Sequence, residues 1–91
     1  MDHERALRDE LRILRTLCDE TAPREQRAQL LNSCLADSFV VPEHQIVFES
    51  IRMLFPLGPL TARQLLVHLT RRGFPDTDVD KYFAPQPESE V

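Results

Sequence analysis

The chain has no tryptophan, a single lysine, two glycines and two cysteines in 91 residues, and each scarcity excludes something. Phosphate-cradling loops of the G-x-x-x-x-G-K-[ST] and G-x-G-x-x-G kinds need closely spaced glycines. With only Gly58 and Gly73, neither loop can form. Cys18 and Cys34 lack C-x-x-C spacing and fall in separate predicted helices, so they read as small buried hydrophobes in a reducing compartment, with a disulfide or a reactive thiol as the open alternatives. No apolar run approaches about 18 residues and no signal-peptide pattern is visible, so a soluble, cytoplasmic protein is expected. His3, His44 and His68 show neither H-E-x-x-H nor H-x₃₋₅-H spacing, which speaks against zinc. Asp76, Asp78 and Asp80 imitate the first ligands of a calcium loop. The sixth position is Lys81 instead of Gly and the twelfth is Pro87 instead of Glu, so the loop is rejected. No metal, cofactor or small-molecule substrate is expected.

Net charge is small as well, although charged residues are plentiful. The net charge is −4, and all of it sits at the end: residues 1–75 balance ten acids against ten arginines, while the last sixteen residues set five acids against Lys81. A neutral body with an acidic end does not attract nucleic-acid phosphates in bulk, so nucleic-acid binding starts at a disadvantage.

What is present is helical periodicity. In Pro42–Phe55, the residues His44, Val47, Phe48, Ile51, Leu54 and Phe55 fall in an arc of about 120°, the pattern of a buried helix face. Pro42 suits the first helical position and Glu43 the positive end of the helix dipole. This predicts the central helix, at about 42–55. Upstream, His3–Glu20 reads as a helix with Asp2 as N-cap. It has one ribbon of Leu7, Leu11, Leu14 and Cys18, a second of Ala6, Ile13 and Leu17, and Glu10 between them at the rim of the core. A carboxylate buried there would need partners. Pro23 opens a helix running to Cys34 or Leu35, with Ala28, Leu31, Cys34 and Leu35 inward. Phe39, Val40 and Val41 form an apolar connector in which Phe39 plugs the base of the core, and Val41 is biased away from helix by the following proline.

Beyond Phe55, Pro-Leu-Gly-Pro-Leu-Thr is a stop-and-turn. Thr61 and Gln64 fit a capping box, Leu60 and Leu65 a hydrophobic staple, and Gly73 with Phe74 a Schellman cap closed by Pro75. Ala62, Leu65, Leu66 and Leu69 share one face of the helix so bounded. A short last helix is predicted at about Thr77–Phe83. The fold class is therefore all-α: a small orthogonal bundle of about five helices in a single domain over 1–83, followed by a disordered acidic tail over 84–91.

The run Phe39, Pro42, His44, Ile46, Phe48, Glu49 and Ile51, followed by Leu60-Thr61, Leu65, Leu69 and Arg72-Gly73, resembles the N-terminal head domain of DnaB-type replicative helicases. The helicase-binding C-terminal domain of DnaG-type primases is built similarly. The resemblance extends over roughly Ala6 to Phe83 and is concentrated between Phe39 and Gly73. It implies a non-enzymatic interaction module in DNA replication, contacting a helicase or primase, or a second copy, through helix faces. The ATPase part of such helicases and their pairing hairpin are missing here.

Surface ribbons are where such contacts would lie. The candidates for partner binding are Ile13 and Leu17 on the first helix, Ile46 and Met53 on the central one, where Glu49 and Ser50 flank them on the side away from the buried stripe, and the arginine strip Arg5, Arg8, Arg12 and Arg15. The plainer reading of each ribbon is more core, and that of the strip is a solvated face partly paired with Glu4, Asp9 and Asp19. His44 is read as a structural histidine bonding a nearby backbone or carboxylate group. The alternative function is a small helix-turn-helix-like DNA-binding or regulatory domain, in which Arg63, Gln64, Val67, Thr70 and Arg71 face a groove.

Overall fold

Glycine and proline set the boundaries of the helices. The structure, a computed structural model, describes residues 2–84, with side chains from Glu4 onward. The side chain of Asp2, on which the expected cap depends, is therefore outside what is described, and so are residues 85–91 of the tail expected over 84–91. α1 spans Asp2–Cys18, α2 Arg24–Ser33, α3 Pro42–Leu54 and α4 Ala62–Arg71, with single 3-10 turns at Ala36–Ser38, Phe55–Leu57 and Val79–Tyr82. There is no strand among the described residues. The all-helical class stands, with four α-helices. The expected fifth is the 3-10 turn at Val79–Tyr82, where the run of Asp76, Asp78 and Asp80 is too short of apolar periodicity to extend a helix.

α3 is the axis. It packs against α1 and α4, and against the turns at 36–38 and 55–57. His44, Val47, Phe48 and Ile51 are buried along it and Phe55 just beyond it. Phe39 closes the base of the core, its ring 5.0 Å from that of Phe48. Leu14, Leu17 and Cys18 enter from α1, Leu31 from α2, and Leu60, Leu65 and Leu69 from α4 and the turn before it. The capping box of Thr61 and Gln64 is complete. At the other end Phe74 N–H donates to Leu69 O (2.8 Å) and Gly73 N–H to Thr70 O (3.0 Å), the two bonds of a Schellman motif. Gly73 takes φ of 98°, which only glycine adopts without strain.

Two expectations about burial are corrected. α2 ends at Ser33 because Cys34 and Leu35 are extended, at φ/ψ of −109°/151° and −119°/143°. Extended residues alternate sides, so Cys34 faces the core while Leu35, expected inward, is exposed. Ser50, assigned to the outer side of α3, is fully buried, because α4 lies over it.

Candidate functional site

Polar side chains inside the core are the natural place to look for chemistry, and one such group surrounds Glu10. Its carboxylate reaches from α1 to the start of α3. It accepts from Val40 N–H (2.6 Å), Val41 N–H (3.3 Å) and the His44 ring at Nδ1 (2.8 Å). A carboxylate only accepts, so Nδ1 carries the proton. Val41, the N-cap of α3, has no side-chain cap of its own. The Glu10 carboxylate therefore serves as a cap supplied by another helix, placed at the positive end of the α3 dipole. His44 takes the structural role expected of it, bonding a carboxylate, whereas Glu10, expected at the rim of the core, is buried and takes the partners that burial requires.

A second cluster ties the last turn to the bundle. Tyr82 O–H donates to Glu43, Lys81 Nζ lies 2.9 Å from the same carboxylate, and Arg15 Nε donates to Lys81 O at 2.8 Å. Burial raises Glu43, but the hydrogen bonds from Tyr82 and Lys81 outweigh it, so the carboxyl ionises below its ordinary value. Burial first, and Glu43 second, push the Tyr82 hydroxyl well above its ordinary range. The Tyr82 ring also meets His44 edge-on at 6.1 Å.

Two further pairs escaped the sequence reading. His68 Nδ1 lies 3.0 Å from Ser50 Oγ. Ser50 has no exposed surface, so no substrate can reach its hydroxyl, and the pair joins α3 to α4. Arg24 and Arg27 of α2 stack over the Phe55 ring at 4.1 and 5.7 Å, Arg24 also donating to Phe55 O and Arg27 to Ala22 O. Both thiols are free. Burial pushes the Cys18 thiol up to about 12, which makes it a poor nucleophile. Among the described residues, no group of three His, Cys, Asp or Glu is placed to hold a metal ion, and no helix is long and apolar enough to cross a membrane.

The surface candidates separate. Leu17 is corrected to core: it is fully buried and unavailable to a partner, because α1 turns that side toward the bundle. Ile13 and Ile46 are half-buried and packed on the core. Arg5, Arg8 and Arg12 are exposed, whereas Arg15 is half-buried and engaged by the Lys81 carbonyl. Met53 is 61% exposed. Residues 46, 50 and 53 share one side of α3. α4 covers the middle of that side at Ser50, leaving Met53 uncovered at its end.

Next to Met53 begins a feature that the sequence reading did not assemble. Leu54, Leu57, Pro59 and Val67 line an open groove of about 290 Å³ between the end of α3, the following turn and α4, with Arg63 and Arg71 among its walls. Leu57 is 79% exposed and Val67 42%. The available signal was Leu57 itself, an apolar residue between Pro56 and Gly58 in a turn that offers it no core to enter. No family model, no curated protein and no solved structure matches the chain.

Proposed function

We propose that the chain is a non-enzymatic protein–protein interaction module of the type represented by the DnaB helicase head, acting in the cytoplasm through helix-face contacts with a replicative helicase or primase, or with a second copy. The observation that carries this reading is the apolar surface left open at the end of α3. Met53, Leu57 and Val67 stand exposed there, Leu57 the most exposed of the large apolar side chains, while Leu7, Leu35, Val40 and Phe74 are exposed elsewhere on the described surface. The polar clusters inside the fold support it indirectly. Glu10–His44, Ser50–His68 and Glu43–Tyr82 are each consumed in joining one element to another. The residues on which the resemblance rests are also structural in this fold: Phe39 is in the core, Pro42 at the first helical position, His44, Phe48 and Ile51 on the buried stripe, and Gly73 closes a capped helix.

Analytical ultracentrifugation of the protein mixed with a DnaB-type helicase or a DnaG-type primase tests the reading. A complex with either, or self-association of the chain, is expected at high micromolar concentration. Sedimentation as a monomer in every mixture would count against it.

A further inference from the structure

We propose that the groove between the end of α3 and α4 receives an acidic amphipathic helix of the partner. This deepens the interaction-module reading and rests on it. Arg63, Val67 and Arg71 follow one another at four-residue intervals along α4, so they form one ridge with an apolar side chain between two cations. At 1.5 Å rise per residue, the arginines are separated by about 12 Å along the axis. Neither has a carboxylate or carbonyl partner among the described residues. By contrast Arg15, Arg24, Arg27 and Arg72 are each held by a carbonyl or carboxylate of the fold.

Below that ridge lie Leu54, Leu57 and Pro59. The wall is held in place by His68, which is tied to the buried Ser50. A surface of this kind is matched by a helix with an apolar stripe and acidic residues seven positions apart, about 10.5 Å, one carboxylate for each guanidinium. Duplex DNA fits it less well. Phosphates would satisfy the arginines but leave the leucines and the proline against polar backbone, and the body of the chain carries as many acids as arginines.

The test titrates the isotope-labelled protein with a synthetic 18-residue helix-forming peptide. The peptide carries a leucine stripe and glutamates at positions i and i+7; a twin carries lysines there, and a 20-base-pair duplex is the third probe. The acidic peptide is expected to shift the resonances of Leu54, Leu57 and Val67 and to bind at least about tenfold more tightly than its basic twin. The double variant Arg63→Glu, Arg71→Glu is expected to invert that preference while keeping the wild-type spectrum elsewhere. Equal binding of the two peptides, shifts confined to other faces, or no binding at millimolar peptide would overturn the proposal. So would duplex binding through these residues, steeply weakened by salt, without binding of the acidic peptide. Two outcomes separate this proposal from the one it rests on. If helicase and primase fail to bind but the acidic helix docks, the kinship falls and the groove stands. If either protein binds equally well to the double variant, the groove falls and the kinship stands.

Discussion

Replacing Glu10 by alanine removes the acceptor on which the start of α3 depends. Three donors lose their partner: Val40 N–H, Val41 N–H and the His44 ring. The bond at 3.3 Å is weak, and Val40 is exposed enough for water to replace the carboxylate there. His44 is only 1% exposed, so its ring N–H is left with nothing. An unsatisfied buried donor costs about 1–3 kcal/mol, and hydrogen bonds to a charged group are each worth about 1.5–3 kcal/mol. Taking one full loss at His44 and partial losses at the two amides gives about 3–5 kcal/mol, in line with breaking a buried pair from one side. A domain of this size has about 5–15 kcal/mol in all. The variant should therefore melt about 15–30 °C lower. Glu10→Gln keeps one accepting oxygen and should lose about 1–2 kcal/mol. Urea unfolding followed by circular dichroism measures the loss, and amide exchange at Val40 and Val41 locates it. A cost below about 1 kcal/mol for Glu10→Ala, with exchange at both amides unchanged, would refute the claim that this carboxylate caps α3.

Other perturbations address separate parts of the fold. Met53→Glu should shift stability by no more than about 0.5 kcal/mol and keep a cooperative thermal transition, because Met53 is mostly exposed; a lost transition would mean that Met53 is core. Gly73→Ala should cost about 1 kcal/mol in denaturant titration, through strain at positive φ and not through a clash, since a Cβ there meets nothing within 4 Å. A thiol reagent should label the half-buried Cys34 well before Cys18, and simultaneous labelling in native buffer would contradict the burial of Cys18. The Cys18 thiol is raised from its ordinary 9.0 to about 12, so above pH 9 the unfolded chain loses this proton before the folded one does. Its contribution to stability is intact below pH 9 and falls by up to about 1.4 kcal/mol per pH unit on the way to 12. Cys18→Ala should flatten the alkaline slope by that amount, and an unaltered slope would exclude the assignment.

How far the sequence can be read depends on whether a residue's partner is local. The α3 stripe, Pro42 at the first helical position, the Thr61–Gln64 box and the Gly73 terminator all follow from spacings of three or four residues, and all of them are found. Glu10 and His44 lie 34 residues apart. Burial without a partner is costly, so a partner was foreseeable for each, but that they would find one another was not. Ser50 was misplaced for the related reason that periodicity on α3 does not say which neighbouring helix covers its second side. Leu17 shows the same limit on α1, where the ribbon offered to a partner turns out to be core. Leu35 failed because one extended step after α2 resets the side on which each residue falls. The groove required three separate segments to converge, and no spacing within any one of them encodes it.

Hydrogen exchange of the protein alone and mixed with a full-length DnaB-type helicase or DnaG-type primase puts the proposed binding role most directly at stake. Exchange slowed by the partner between residues 54 and 71, with α1 unaffected, is the expected result. Exchange rates identical with and without each partner over the whole chain, at concentrations where a high-micromolar complex would be populated, would contradict it.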